Sequence, residues 1–277
     1  MPEKLSAIIL NYKHPNNTLN CLRALKRSDA GDRLDYYLVD NSPLPEIEKR
    51  FKKLYPAIHY ISSPSNLGFA AGNNLAIRPA LKAGTDYILI INPDATIGHQ
   101  FFRPLLRHFS DKEVGVVAPV ILHSQKGKNV YGLEGKINWK YAKPEHRNLY
   151  NLKKFEPIVS EFVTFACVLI SADTFKKNGL LDEGYFMYFE DVDFCLSAGR
   201  RGKKIILDPS VVVNHNTSSS FKRPTQKLFI SFKSHLRFIH KWLPLTKRLI
   251  PYLYAISLYP YLYLLWSYHY LKYAKHR

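Results

Sequence analysis

The run Tyr87-Ile88-Leu89-Ile90-Ile91-Asn92-Pro93-Asp94 decides the fold class of this chain. A continuous apolar run without polar alternation is typical of a strand that is buried on both faces of a parallel sheet. Pro93 fixes one backbone angle and lacks an amide donor, so the residues after the run form a turn. Because ligands of open α/β sheets gather at the carboxyl ends of strands, Asp94 becomes a candidate site residue. The alternative is an ordinary turn whose Asp94 only caps the next helix.

Similar strand-like runs lie on either side, at residues 7–10, 36–39, 58–61 and 114–120. Stretches with helical apolar spacing separate them, as in Leu19, Leu22 and Leu25. The alternation predicts right-handed βαβ crossovers and a mostly parallel sheet flanked by helices over about the first 120 residues. Further along, we expect a strand at 162–170 paired with 211–213, and loops or a short hairpin at 123–157 over one edge of the site.

Composition sets the class of protein. With 277 residues and 46% hydrophobic residues, the chain can bury a sizeable core and is not a disordered protein. Its three cysteines are odd in number and lack metal-binding spacing, which favours a reducing compartment. The first apolar run is too short for a signal peptide and is interpreted as a strand.

Charge is concentrated in the last part of the chain. The net charge is +18, and eleven Lys and Arg but no Asp or Glu follow Asp208. Residues 249–267 are uncharged and nearly reach the roughly 20 residues of a membrane span, although their prolines and tyrosines suit an interfacial position better. We therefore predict a domain at 1–220 and a basic, aromatic, helical tail at 221–277 that meets a membrane surface. A helix pair packed on the domain, or a dimer contact, is the alternative; no nucleic-acid module is recognisable.

A second acidic cluster, Glu190-Asp191-Val192-Asp193, follows the aromatic run Tyr185-Phe186-Met187-Tyr188-Phe189. Carboxylates are scarce here, 22 Asp and Glu against 40 Lys and Arg, so this clustering indicates a general base or metal site. An acidic helix start that complements the macrodipole would explain the position equally well.

Other candidates follow predicted strands. Asp40 ends the second strand, where its carboxylate can accept hydrogen bonds from a base or ribose, and His215 follows a late apolar strand as a candidate metal ligand. The small-residue turn 66–74 opens a helix whose amino terminus favours a diphosphate. Its candidate ligand-binding residues are Asn66, Gly68, Gly72 and Asn73.

Five motifs occur in order: Ile8-Ile9-Leu10-Asn11-Tyr12, Val39-Asp40-Asn41-Ser42, the turn 66–74, Asn92-Pro93-Asp94 and the stretch 186–193. Together they resemble the family-2 glycosyltransferases of the GT-A fold, in particular the bacterial rhamnosyltransferase-like branch, over about residues 4–220. The resemblance implies that Tyr12 and Asp40 hold the nucleoside and that Asp94 and His215 bind Mg²⁺ or Mn²⁺. It implies a base, Asp191, with Glu190 and Asp193 supporting it or touching the acceptor. Asn92 departs from the family's Asp-x-Asp pattern.

The resemblance also implies an activity. We expect a metal-dependent, inverting hexosyltransferase with a nucleotide-sugar donor, such as dTDP-rhamnose, and a lipid-linked or cell-surface polysaccharide acceptor. Its expected location is cytoplasmic, peripheral at the inner face of the cell membrane. Two alternatives stay open: a nucleotidyltransferase, although no Arg- and Gly-rich triphosphate loop occurs early in the chain, and a non-catalytic membrane adaptor, which would not need Asp191.

Overall fold

The computed structural model describes residues 3–125, 127–152, 156–215 and 224–274. Within them one mixed sheet has helices packed against it. The strands are β1 (Leu5–Asn11), β2 (Leu34–Asp40), β3 (His59–Ser62), β4 (Tyr87–Ile91), β5 (Ala95–Thr96), β6 (Val114–Gln125), β7 (Lys128–Asn138), β8 (Lys143–Leu149), β9 (Ile158–Val159), β10 (Cys167–Ser171) and β11 (Lys204–His215). The helices are α1 (Pro15–Lys26), α2 (Pro45–Leu54), α3 (Gly68–Lys82), α4 (Phe102–Leu106), α5 (Ala172–Asn178), α6 (Glu190–Arg200), α7 (Pro224–Trp242) and α8 (Leu249–Ala274).

The amino-terminal half of the sheet is parallel, as the sequence predicts, and its strands lie in the order β3-β2-β1-β4. Strand β4, which borders the other half, coincides with the apolar run 87–91. Ile88 and Ile90 of this strand pack into one buried cluster, whereas Leu89 and Ile91 pack into a second cluster on the other face. A strand covered on both faces has no polar side, which explains why the run does not alternate.

The other half of the sheet is mixed. β10 lies antiparallel between β4 and β6, and β11 runs parallel to β6. The predicted pairing of strand 162–170 with residues 211–213 is therefore wrong. The strand also begins later, at Cys167, and Thr164, Phe165 and Ala166 form a loop that lines a cavity. Apolar strands of similar pattern do not reveal their neighbours, because each could be buried equally well beside several others.

The described residues between 123 and 149 form a longer hairpin than the loops or short hairpin expected for 123–157. β6 continues to Gln125, and β7 and β8 then pair antiparallel as far as Leu149. Gly135 lies at a register shift in this pairing, where an added Cβ would come within 2.1 Å of the Phe162 ring. The hairpin packs this closely onto the sheet because that position carries no side chain.

The two carboxy-terminal helices differ in character. Phe238 and Trp242 of α7 are buried in the main core, and the basic residues Lys227, Lys233, Arg237 and Lys241 also belong to this helix. By contrast α8 is apolar and not clearly basic, which corrects the basic character predicted for the tail in this part of the chain. Within the described residues, α8 is the helix long and apolar enough to cross a membrane, and only 11% of its stretch Leu249–Ser267 is buried. The predicted boundary at 220/221 lies outside the described residues.

Candidate active site

A cavity of about 1090 Å³ lies at the carboxyl ends of β1 and β4 and collects most of the predicted site residues. They come from separate motifs and from strands on both halves of the sheet. Those that line the cavity are Tyr12, Asn66, Gly68, Asp94, Glu190, Asp191 and His215. Asp40, Gly72, Asn73 and Asp193 do not line it. The sheet therefore brings three acidic side chains and one histidine of the prediction into a single space.

Asp94 and His215 meet through strand pairing. The antiparallel pairing of β5 with β11 places Ala95 opposite His215, so that His215 Nε2 lies 3.0 Å from Asp94 Oδ1. Asn92, at the first position of the turn, brings its Nδ2 to 3.3 Å from the same nitrogen. The backbone N–H of Asn92 donates to the Ala166 carbonyl, at 2.8 Å, and so connects the turn to the loop before β10.

This pair fits a partial cation site. A carboxylate oxygen and an imidazole nitrogen are suitable ligands for Mn²⁺ and related ions. In the described part of the chain, no group of three or more His, Cys, Asp or Glu is arranged to hold a metal. Asp94 and His215 could therefore supply two ligands, and substrate phosphate and water commonly complete such a set for Mg²⁺.

Glu190 and Asp191 begin α6 and face the cavity from the other side. The side chain of Glu190 is buried, and its Oε2 has no hydrogen-bond partner among the residues that the structure describes. Burial first, and then the charge of Asp191, raise the pKa of Glu190 well above its ordinary value. Burial also raises the pKa of Asp191, against the opposing effects of His146 and of backbone amides such as Val192 N–H. Two neighbouring carboxyls with increased proton affinity suit acid–base work near neutral pH.

The glycine turn touches the segment that leads to these carboxyls. Gly68 has a φ of +80°, and an added Cβ would lie 2.1 Å from the Phe186 carbonyl oxygen. The next amide, Phe69 N–H, donates to that same oxygen at 2.6 Å. Asn41 Nδ2 donates to the Gly68 carbonyl at 3.0 Å. The motif after β3 and the motif before α6 are thus in direct contact.

Three residues predicted to bind the nucleotide-sugar donor lie behind the cavity wall. Asp40 is fully buried and accepts hydrogen bonds from Tyr60 OH at 2.7 Å and Asn11 Nδ2 at 3.0 Å. Asn73 Nδ2 donates to the Phe69 carbonyl at 2.9 Å, and Gly72 allows α3 to pack against Leu10. In this arrangement they shape the cavity wall, and none of them contacts the open space itself.

Asp193 faces α7. It accepts hydrogen bonds from Trp242 Nε1 at 2.7 Å and from Lys241 Nζ at 2.8 Å. Asp193 does not line the cavity, so its position favours support of the base over contact with an acceptor, and both expectations stay predictions.

Other residues of the cavity were not found from the sequence. Lys143 and His146 reach it from β8, residues 226, 227 and 229–231 from α7, and Tyr259 from α8. The His146 ring packs edge-on against Phe162, with 4.9 Å between ring centroids. No local pattern marks these residues, because they reach the cavity only once the hairpin and the helices have packed on the sheet.

Known proteins resemble this chain both in sequence and in fold. Residues 6–179 match the family model described as Glycosyl transferase family 2. The low-salt glycan biosynthesis hexosyltransferase Agl10 of Haloferax volcanii is 30% identical over 212 residues, which are 74% of this chain and 64% of that protein. The N-acetylglucosaminyl-diphospho-decaprenol L-rhamnosyltransferase of Mycobacterium tuberculosis is 25% identical over 226 residues, 73% of each chain. The chain thus spans less than two thirds of the haloarchaeal relative's length.

Among solved structures, the crystal structure of GalNAc-T7 with UDP, GalNAc and Mn²⁺ superposes with a TM-score of 0.66 at 14% identity, covering 87% of this chain and 52% of that one. At this identity the likeness concerns the fold, which is the mixed α/β arrangement of GT-A glycosyltransferases. The match to the family model covers well over half of the chain. The protein therefore belongs to glycosyl transferase family 2.

Proposed function

We propose that this protein is an inverting glycosyltransferase, which moves a sugar from a nucleotide-diphosphate donor to a hydroxyl group of a saccharide acceptor. One observation carries the proposal: Glu190, Asp191, Asp94 and His215 line the same cavity as the Gly68 turn. A base, a partial cation site and a glycine turn are the parts that such a transfer needs. Family membership favours this reading over a nucleotidyltransferase.

Asp191 acts as the base in this proposal. A sugar hydroxyl is a poor nucleophile until a positioned carboxylate takes its proton as the new bond forms. The acceptor oxygen bonds to the anomeric carbon, the bond from that carbon to the diphosphate breaks, and the hydroxyl proton passes to Asp191. A single displacement of this kind inverts the anomeric carbon without a covalent intermediate. Burial and the neighbouring charge of Asp191 raise the pKa of Glu190 well above its ordinary value, which disfavours a second negative charge beside the base.

The leaving diphosphate requires charge compensation. Asp94 and His215 would hold Mg²⁺ or Mn²⁺, which when bound offsets the charge developing on the diphosphate. Tyr12 lines the cavity and would contact the nucleoside in this proposal. Asp40 stands behind the cavity wall and holds Asn11 and Tyr60 in place, so it would support the nucleoside site indirectly. Asn66 accepts a hydrogen bond from the Gly68 amide at 3.0 Å and fixes the turn that faces the donor.

The finer assignment names both substrates and a location. We assign dTDP-rhamnose as the donor and a lipid-linked or cell-surface saccharide as the acceptor. The motif resemblance supports this assignment, and so does the relative named N-acetylglucosaminyl-diphospho-decaprenol L-rhamnosyltransferase. Exposed Leu253, Ile256 and Leu264 of α8 support attachment of the tail to the cytoplasmic face of a membrane. The catalytic domain is proposed to occupy residues 1–220 and the membrane-associated tail 221–277.

Asp191→Asn tests the activity. With dTDP-rhamnose and Mg²⁺ or Mn²⁺, we expect nucleotide release to slow by about 10²- to 10⁴-fold, the usual contribution of a general base, while donor affinity is unchanged. Asp35→Asn, at an exposed position of β2 away from the cavity, is the matched control and should behave as the wild type. A non-catalytic adaptor would be indifferent to Asp191→Asn. Intact donors and no nucleotide binding under any condition would overturn the proposal.

A further inference from the structure

The backbone just before Glu190 is strained. Tyr188 and Phe189 have φ angles of +70° and +71°, in the left-handed region that side-chain-bearing residues rarely adopt. The left-handed conformation is unfavourable for a residue with a Cβ, so it persists only where neighbouring groups hold it. This turn places Glu190 and Asp191 in the cavity. Whatever holds the turn therefore controls where the two carboxyls lie.

The first set of restraints comes from α7. Ser234 Oγ donates to the Met187 carbonyl at 2.8 Å, immediately before the strained pair. The Phe189 ring stacks on His235, with 5.3 Å between centroids and 18° between planes, and also packs on Phe238 at 5.3 Å. Both the backbone and the side chain of the turn are thus in contact with this one helix.

The second set lies on the other side of the carboxyls and comes from the same helix. Asp193 is 3% exposed and accepts its hydrogen bonds from Trp242 Nε1 and Lys241 Nζ. Lys241 also reaches Asp182 at 2.8 Å, as does Arg237. These charge-assisted bonds are among the stronger hydrogen bonds in proteins. Residues 190 and 191 therefore sit between two points that are both attached to α7.

We infer that α7 positions the catalytic carboxyls, with Ser234 and Trp242 as positioning residues that act through Met187 and Asp193. The inference rests on the proposed function of Asp191. It assigns a role to a helix beyond residue 179, where the match to the family model ends. Neither Ser234 nor Trp242 lines the cavity, so neither contacts a nucleotide-sugar donor bound there. The inference therefore predicts loss of turnover without loss of donor affinity.

Two substitutions remove one restraint each. Trp242→Phe keeps an aromatic ring but removes the Nε1–H donor to Asp193, and Ser234→Ala removes the hydroxyl that holds Met187. The matched controls are Trp139→Phe and Ser257→Ala. In the described part of the chain, Trp139 stacks on Phe238 of α7 without a hydrogen bond to the acidic motif, and the Ser257 hydroxyl donates to the Leu253 carbonyl within α8.

We expect kcat for nucleotide release to fall about tenfold or more in each test variant, since a misplacement of 1 Å can cost about 100-fold. KM and the dissociation constant for the donor should stay unchanged, and both controls should match the wild type. Amide hydrogen exchange of residues 185–193, measured on the full chain, should accelerate in the test variants only. Ser234→Ala keeps the test decisive if Trp242→Phe does not fold.

The inference is overturned if both variants, measured below their melting temperatures, keep the wild-type kcat. It is also overturned if the control variants lose as much kcat as the test variants, or if the test variants raise the donor KM and leave kcat unchanged. Its failure is distinguishable from failure of the proposed function. If the wild type turns over no donor, the function is wrong, and hydrogen exchange still shows whether α7 holds the turn. If the wild type is active and the variants are unaffected, only the role of α7 is wrong.

Discussion

Gly68→Ala compared with Gly84→Ala separates a tight contact from backbone conformation. Both glycines have positive φ, +80° and +78°. An added Cβ at Gly84 would meet no described residue within 4 Å, whereas at Gly68 it would lie 2.1 Å from the Phe186 carbonyl oxygen and 2.7 Å from its ring. The same substitution at two positions of nearly equal φ therefore differs only in what the new methyl group meets.

The structure sets the expected sizes. A left-handed conformation in a residue with a Cβ costs about 1–2 kcal/mol, and both variants incur this cost. At Gly68 the segment around Phe186 must also move by more than 1 Å to reach ordinary contact, and overpacking typically adds about 1–3 kcal/mol. A change of 1 kcal/mol shifts the melting temperature of a domain of this size class by roughly 2–4 °C. Gly68→Ala should thus melt several degrees below Gly84→Ala.

Thermal unfolding of the wild type and both variants, followed by circular dichroism, measures the difference. Donor affinity and nucleotide release provide a second measurement, because Phe186 leads directly into the Glu190 motif and Gly68 lines the cavity. We expect Gly68→Ala to lose both and Gly84→Ala to keep both. The reasoning is refuted if Gly68→Ala stays active and the two variants melt within 1 °C of each other. That margin is well below the roughly 2–4 °C expected for each kcal/mol.

Two further predictions concern stability. Since the pKa of Glu190 is raised on folding, the unfolded chain releases this proton first as the pH rises above the ordinary value of 4.5, and the wild type should lose stability from there upward. Glu190→Gln, melted at several pH values from 4 to 8, should flatten that decline; parallel curves for the two proteins would contradict this. Asp29 accepts hydrogen bonds from the first amides of α4, at 2.8 Å from Arg103 N and 2.9 Å from Phe102 N, so Asp29→Ala should cost about 1–2 kcal/mol. Denaturant unfolding measures this loss, and an unchanged midpoint would show that the cap contributes nothing.

Part of the site followed from sequence because its position depends on local pattern. The apolar run 87–91 had to be a strand covered on both faces, and residues after it had to lie at the carboxyl edge of the sheet. The same rule placed Gly68 at that edge, and the fold class was confirmed. The carboxyl cluster at 190–193 likewise stood out, because acidic residues are rare in this chain.

The individual side-chain environments could not be found in this way. Asp40 ends a strand as predicted, yet its carboxylate is fully buried and engaged by Tyr60, 20 residues further along. Asp193 shares a motif with Asp191, yet it points to Trp242 of α7 and not into the cavity. On a helix, positions two residues apart face different directions, so what each one meets depends on the elements packed around the helix.

The sequence by itself determined the alternation of strands and helices over about the first 120 residues, the placement of chemistry at one sheet edge and the family. Only the tertiary structure decided that β10 lies between β4 and β6, that the β7–β8 hairpin brings His146 to the cavity, and that α7 holds the acidic motif. The physical reason is the separation along the sequence of the residues that determine each feature. Local patterns reflect which faces of an element are buried, whereas partner choice among similarly apolar elements is settled by packing over long separations, such as the 49 residues between Asp193 and Trp242.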